Sequence, residues 1–228
     1  IYVRLLATLF LLFLLLFITF SIPSIQTYFG EYATNRINNK FNTNINIERA
    51  SIKYNGDIEL KNILIIDHQN DSLISIDKFN SSILSFLNIN SNKLVFGGID
   101  IYGLYFNIKT YKGENDSNLE IFSEKFRKNK KKTENIFQLS SSYLSIHKSH
   151  FLLINENKTK NEILNFKKLN IQANDFLIQG PNVSADIKNI SFYDSRGIQM
   201  LDLKTKFNYT NSLMTLNNLN FKTYNSEI

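Results

Sequence analysis

The sequence predicts a mainly β protein, in which an N-terminal transmembrane helix precedes one long antiparallel sheet and a few short helices. Three observations carry this prediction: an apolar run over Leu5–Ile22, an amphipathic stretch after it, and, from Ile45 onward, an apolar–polar alternation with a period of two. The 228 residues have room for an anchor and one extended domain. We expect a membrane anchor at 1–22, a connecting helix at 23–42 and a β-rich region at 43–228.

The anchor prediction rests on length and composition. Its only polar side chains are Thr8, Thr19 and Ser21. The eighteen residues of Leu5–Ile22 form about 27 Å of helix, close to the thickness of a hydrocarbon core. The alternative is a cleaved signal peptide, whose apolar region is usually ~7–15 residues and ends at a small-residue site that this sequence lacks. Arg4 precedes the run and no Lys or Arg follows before Arg36. The positive-inside rule therefore predicts a cytoplasmic N-terminus, with the rest of the chain on the other side of the membrane.

The connecting segment is predicted to be an amphipathic helix that continues from the anchor, with Pro23 at its start. Its apolar residues recur every fourth position, at Ile25, Phe29, Ala33, Ile37 and Phe41. We expect this stripe to pack on the domain behind it. A membrane-surface helix is the alternative, disfavoured because the polar face has few Lys and Arg.

A second helix is predicted at 117–128, where Ser117 and Glu120 have the spacing of a capping box. The basic run at 127–132 follows it. We interpret this run as a solvated loop, with a lipid-headgroup site as the alternative. Turns are predicted at Asn55-Gly56, Gly97-Gly98 and Gly180-Pro181.

The β-rich region repeats an eight-residue pattern, here called the octet, with apolar residues at positions 1, 3, 6 and 8 and most often Asn at position 5. A straight strand would split these positions between two faces. One extra residue, a bulge at positions 4 and 5, restores a single apolar face, and Asn or Gly tolerates the left-handed backbone that it needs. A two-residue hairpin turn at positions 4 and 5 is the competing account. The octets are 58–65, 99–106, 164–171, 185–192 and 214–221.

The sequence disfavours several classes of function. The formal charge of +6 and pI near 9.3 come from scattered basic residues, which does not indicate a nucleic-acid surface. No cysteine is present, so there is no disulfide framework. Asp67-x-Gln69-x-Asp71 lacks the glycine of a calcium loop, and His147 and His150 are expected on opposite faces of a strand. We predict neither catalytic, metal nor cofactor sites, and no enzyme.

The chain resembles the N-terminal part of TamB-like proteins of the AsmA-like group, found in bacteria with two membranes. The resemblance runs from the anchor to the end of the chain. It is carried by Ile22-Pro-Ser-Ile-Gln-Thr-Tyr28, Thr43-Asn-Ile-Asn-Ile47, Tyr54-Asn-Gly-Asp-Ile58, Lys109-Thr-Tyr-Lys-Gly-Glu-Asn-Asp-Ser-Asn118, Gly180-Pro-Asn-Val-Ser-Ala-Asp186 and Asp194-Ser-Arg-Gly197.

The resemblance implies an inner-membrane anchor and a periplasmic β-sheet curled into an open hydrophobic groove. It also implies transport of phospholipid between the two membranes, or alternatively a scaffold for outer-membrane protein assembly or secretion, with a TamA-like barrel as partner. Family members are much longer, so we expect the partner-binding C-terminal domain to lie beyond this sequence. The candidate groove-lining residues are Ile58, Leu60, Ile63, Ile65, Ile99, Ile101, Leu104, Phe106, Phe166, Leu169, Ile187, Ile190, Phe192, Leu216, Leu219 and Phe221.

Overall fold

The structure, a computed structural model, describes residues 22–53, 55–83, 93–127, 138–179, 182–210, 213–224 and 226. Helix α1 spans Pro23–Phe41 and helix α2 spans Asn118–Arg127. The strands are β1 Asn44–Ile52, β2 Asp57–Ile66, β3 Ser72–Ile83, β4 Lys93–Tyr102, β5 Tyr105–Thr110, β6 Gln138–Asn155, β7 Glu162–Gln179, β8 Asn182–Asp194, β9 Gln199–Tyr209 and β10 Met214–Thr223. The predicted mainly β class is confirmed, with 66% of the structure in strands.

The ten strands form one large curled sheet. Its order is β1-β2-β3-β4-β6-β7-β8-β9-β10, and β5 lies in line with β4 between β3 and β6. Neighbours are antiparallel except that β6 runs parallel to β4 and β5. The prediction of a wholly antiparallel sheet is therefore wrong at this place. The reason is the connection from Thr110 to Gln138, which contains α2 and returns the chain to the end of the sheet where β4 begins.

Each octet contains the backbone break that its spacing predicts. The fifth residue is left-handed in four of the octets. Their φ angles are 51° at Asn62, 64° at Gly103, 52° at Lys168 and 55° at Asn218. In the octet 185–192 the break is a bulge, because the paired residues step from Asn189 to Ile187 while the partner strand advances by one residue. The hairpin account is wrong for 58–65, which lies within the single strand β2.

The break places the apolar positions of an octet on one face. In an unbroken strand, residues an even number apart point their side chains to the same face and their N–H and C=O groups to the same edge. Residues that bond at one edge but are an odd number apart therefore have a break between them. In β1, however, Ile45, Ala50 and Ile52 all bond to α1 at the same edge. Their partners in β2, which point to the same face as they do, are Ile65, Leu60 and Ile58.

Helix α1 lies along the free edge of β1 and closes it with side-chain hydrogen bonds. Asn38 bonds to both the N–H and the C=O of Ile45, at 2.9 and 2.8 Å. Thr27 makes longer bonds to both groups of Ala50, at 3.3 and 3.4 Å. The sequence predicted contact through the apolar stripe, but these contacts come from polar residues, and Ile37 is 40% exposed. The side chains of Phe29 and Ala33 lie outside the described ones.

The remaining local predictions have mixed outcomes. The capping box is confirmed, since Glu120 accepts hydrogen bonds from the N–H and the hydroxyl of Ser117, both at 2.8 Å. The Asn55-Gly56 turn is also confirmed between β1 and β2. Gly97-Gly98 is not a turn but part of β4, where the Tyr143 ring covers Gly98. Gly180-Pro181 and the basic run 128–132 lie outside the described residues.

The predicted anchor also lies outside the described residues, apart from Ile22. A search of the described part of the chain finds no helix with the length and apolarity of a membrane span. At its first described residue, the chain departs from the predicted continuous helix. Ile22 has φ −75° and ψ 120°, an extended conformation that does not belong to a helix, so α1 begins at Pro23.

Candidate apolar binding face

We call the face that carries the apolar positions of the octets the octet face. On one side of the backbone breaks, seven neighbouring strands contribute one apolar side chain each to a continuous row. A second row follows beside it and includes Ile99 and Leu144. The first row consists of Ala50, Leu60, Phe79, Ile101, Ile146, Ile171 and Ile190.

On the other side of the breaks, the octet face carries a row of aromatic rings. Phe106 and Phe151 lie edge-on with their centroids 5.8 Å apart. Phe151 lies 5.9 Å from Phe166, and Phe166 stacks on Phe192 at 4.1 Å. The row continues from Phe106 into β3 at Ile74 and then into β2 at Ile65. The strands β5 to β8 therefore share a row of four rings, here called the aromatic ladder, and the two aliphatic rows lie beside it on the other side of the breaks.

Two buried hydroxyls on this face are satisfied by the backbone. Ser149 is 2% exposed; its hydroxyl donates to the carbonyl of His147 and accepts from the N–H of Leu104. Ser81 donates to the carbonyl of Gly98 at 2.7 Å. These bonds remove the desolvation cost of a buried hydroxyl, so the face presents an apolar surface at these positions too.

The octet face is only partly buried in the residues that the structure describes. Of the candidate groove-lining residues, Ile99 and Leu169 are buried, whereas Leu216 and Leu219 are 40% and 42% exposed and the others are half-buried. The buried hydrophobic residues among those described are Ala50, Leu73, Ile99, Ile146, Leu169 and Ala173. Six such residues are few for a sheet of ten strands, because a second layer would bury most of one face.

Two further octets lie on this face that the sequence pattern did not predict. In 144–151, Leu144, Ile146 and Phe151 occupy apolar positions, but position 6 is Ser149, so the pattern was not recognised. In 171–178, position 3 is a small residue, Ala173. Both have a left-handed fifth residue, with φ 51° at Lys148 and at Asp175. A pattern that allows Ala at position 3 and Ser at position 6 includes both segments.

Lys148 also explains why one prediction about histidines is wrong. The carbonyl of His147 and the N–H of His150 both bond toward β4 and β5. The two residues therefore point to the same face, although they are three apart, because the left-handed Lys148 between them reverses the alternation. His147 stacks on Tyr102 at 4.6 Å, and His150 bonds to Asn165 at 2.7 Å. Within the described ranges, no group of three or more metal-ligating side chains occurs.

The face opposite the octet face is buried at one end of the sheet. Leu73 is fully buried there, and Asn107 and Asn165 are 8% and 9% exposed. The sequence predicts that Asn107, the polar residue next to the apolar position Phe106, faces water. It is buried instead because the loop after β5 and the start of α2 pack here, with Asn118 donating to the Asn107 carbonyl at 3.0 Å.

A polar cluster closes this end, built around the carboxylate of Asp67. Tyr111 donates to Asp67 at 2.7 Å and Asn118 donates at 3.0 Å. The N–H groups of Gln69 and Asp71 also donate to it, both at 2.9 Å, which makes an Asx turn of the segment that resembles a calcium loop. Burial opposes ionisation of Asp67, but these hydrogen bonds outweigh it and lower the pKa of the carboxyl.

Three further contacts between charged or polar side chains hold the loops around this cluster. Burial acts to lower the pKa of Lys109, but its contacts with Glu156 at 3.0 Å and Asp71 at 3.3 Å outweigh this and raise the pKa. His68 contacts Glu114 at 2.9 Å, a hydrogen bond that lowers the pKa of the carboxyl of Glu114. These pairs join the β2–β3, β5–α2 and β6–β7 connections, so we interpret the cluster as structural.

Comparison of the chain with models of known protein families finds no match, and no curated protein matches its sequence. Membership of the TamB-like group thus stays a prediction from the sequence.

Proposed function

We propose that the octet face binds the acyl chains of membrane lipid, and that the protein is an inner-membrane-anchored, periplasmic groove for moving phospholipid between two membranes. The observation that carries the proposal is the wide, half-exposed apolar face of a single curled sheet. Exposed apolar surface of this extent is typical of a binding site rather than of a free protein surface.

The energetics favour a trough over a tight pocket. Exposing acyl chains to water costs ~0.8 kcal/mol per methylene, or roughly 25 kcal/mol for a lipid with ~30 such groups. A continuous apolar face removes most of this cost at every position along the sheet. Nine strand positions about 4.8 Å apart give roughly 40 Å of such a face. Lipid transfer of this kind requires no catalytic residue.

The alternative function is a scaffold for outer-membrane protein assembly, in which the octet face would be the dry core of a sandwich. The small number of buried hydrophobic residues in the described part of the chain favours the lipid groove over this alternative. A barrel-type partner in the outer membrane is compatible with both functions.

Photocrosslinking tests whether lipid lies on the octet face. A photoreactive phenylalanine analogue replaces Phe106 in the aromatic ladder, and the matched control replaces Tyr102, which is 40% exposed on the opposite face. We expect a phospholipid adduct by mass spectrometry from position 106 and little from position 102. Absence of an adduct at 106 in membranes from cells that make the protein would overturn the proposal.

A charge on the octet face tests transport. Ile171→Asp places a carboxylate in the first row, where the acyl chains would pass, and Gln172→Asp places one on the exposed opposite side of the same strand. An unpaired charge in apolar surroundings costs several kcal/mol, so Ile171→Asp should abolish crosslinking beyond it at normal protein abundance. A fall in abundance without a change in crosslinking per molecule would favour the scaffold.

The localisation has its own test. A reporter enzyme that is active only in the periplasm, fused after Tyr224, should be active in cells. Activity of a cytoplasm-only reporter at the same position would refute the orientation inferred from Arg4 and Leu5–Ile22.

A further inference from the structure

Helix α1 begins at a break in the backbone directly after the apolar run. Its N-terminal cap, Ile22, is extended, and Pro23 follows as the first helical residue. Because the helical hydrogen bonds cannot continue through this point, the axis of α1 is not bound to follow that of the preceding segment. Ile22 itself is 44% exposed.

The two sides of α1 differ in what they contact. The side that meets β1 includes polar residues that bond to the strand and a glycine that packs closely against it, since a Cβ on Gly30 would lie 2.9 Å from that of Ala50. Gln26 and Asn38 lie on this side. With 3.6 residues per turn, Tyr28, Tyr32 and Arg36 project from the opposite side, one turn apart. Tyr28 is 65% exposed and Tyr32 is 60% exposed.

We propose that the side of α1 formed by Tyr28, Tyr32 and Arg36 binds the headgroup region of a phospholipid bilayer, with the axis of α1 along the membrane plane. Tyrosine is suited to this region because its ring is apolar and its hydroxyl reaches water, and arginine pairs with lipid phosphate. The proposal rests on the membrane anchor of the proposed function, since the apolar run Leu5–Ile22 ends at the residue before α1.

Continuity with this run selects a bilayer over a protein as the occupant. As a membrane-spanning helix, the eighteen residues of Leu5–Ile22 would be about 27 Å long and would bring Pro23 to the edge of the hydrocarbon core, where the headgroup region is only ~5–7 Å deep. If α1 stood upright, Tyr32 would lie about 13 Å above Pro23, outside this region. In the membrane plane, both tyrosines lie within it. Because β1 bonds to the other side of α1, its strand direction would then run parallel to the bilayer.

Fluorescence quenching tests this placement, since the chain contains no tryptophan and each substitution introduces a single reporter. The full chain with Tyr32→Trp is reconstituted in phosphatidylcholine vesicles with or without bromine at carbons 6 and 7 of the acyl chain. The matched control is Tyr209→Trp, at a site on β9 that is 42% exposed. We expect about twofold quenching by brominated lipid at position 32, little at position 209, and the reverse order for quenching by iodide in water.

Equal quenching by iodide at positions 32 and 209, with no effect of brominated lipid at 32, would overturn the proposal. Protection of position 32 from iodide in native membranes but not in pure lipid vesicles would also overturn it. Tyr28→Trp is the second variant and should give the same result if the helix lies in the plane; quenching at 28 without quenching at 32 would contradict the in-plane axis.

Flotation of the vesicles separates this proposal from the proposed function. Failure to float refutes the anchor, whereas floating protein that lacks a lipid adduct at position 106 refutes the groove alone.

Discussion

Gln26 of α1 pairs with Ile52 of β1 as a neighbouring strand would. Its amide nitrogen Nε2 donates to the Ile52 carbonyl at 2.8 Å, and its Oε1 accepts from the Ile52 N–H, also at 2.8 Å. Asn38 repeats this arrangement at Ile45. An exposed edge strand is a template for pairing with another chain, so these amides act as a cover for the first edge of the sheet.

Removal of this cover should destabilise the protein and make it self-associate. We expect Gln26→Ala combined with Asn38→Ala to lower the free energy of unfolding by about 2 kcal/mol, from roughly 0.5–1.5 kcal/mol per hydrogen bond with partial compensation by water. Urea denaturation measures the loss, and sedimentation velocity measures the association. Asn35→Ala, on an exposed part of α1, is the control. A double variant that stays monodisperse would show that these amides do not protect the edge.

The left-handed break in the octets can be tested at Gly103, which has a φ of 64°. A Cβ there would overlap the carboxylate of Asp77. Gly113→Ala is a matched control, because Gly113 has a φ of 85° and open space around it. Strain alone costs of order 1 kcal/mol, so we expect Gly103→Ala to lower the free energy of unfolding clearly more than Gly113→Ala. Equal losses in chemical denaturation would mean that the backbone, not the contact with Asp77, determines the requirement for glycine.

The ring of Tyr143 covers Gly98, and its hydroxyl donates a hydrogen bond to the carboxylate of Asp100 at 3.0 Å. Gly98→Ala should displace the ring and break this bond, at a cost of about 1–2 kcal/mol. In a Tyr143→Ala background the same substitution should cost much less, because the ring that the Cβ would overlap is absent. A double-mutant cycle on the unfolding free energies gives this coupling directly. Additive effects would exclude the ring as the source of the cost.

The Asp67 cluster predicts a pH-dependent difference between the wild type and Tyr111→Phe. The folded pKa of Asp67 lies below its unfolded value, so its contribution to stability is present above about pH 4 and is lost as the pH falls through the folded pKa. A hydrogen bond to a carboxylate contributes about 1.5–3 kcal/mol. We expect Tyr111→Phe to be less stable by this amount at pH 7, and the difference to shrink at pH 2–3.

Denaturation curves across this pH range measure the effect, with Tyr193→Phe, 46% exposed on β8, as the control. A constant difference between wild type and Tyr111→Phe at all pH values would show that the tyrosine acts by packing and not through the ionised carboxyl.

Several features of the candidate site could be predicted from the sequence because their cause is local. The octet spacing leaves only a break at positions 4 and 5 as a way to keep four apolar residues on one face, and Asn62 and Gly103 are residue types that accept the left-handed backbone. The capping box could be predicted for the same reason, because Ser117 and Glu120 are three residues apart. Lys148 and Lys168 adopt the same left-handed conformation although lysine does not favour it. The residue type at position 5 therefore does not identify every break.

The sequence by itself determined the mainly β class, the octets and their apolar face, since all three follow from the side-chain period along single segments. Only the tertiary structure decided which polar residues of α1 cover the edge of β1, that β6 runs parallel to β4, and that Asn107 is buried beneath the α2 connection. These features depend on contacts between segments distant in the chain. Gln26 and Ile52, for example, are 26 residues apart. An amide in a helix carries no local mark of the strand whose backbone it will bond to, so only the assembled fold selects its partner.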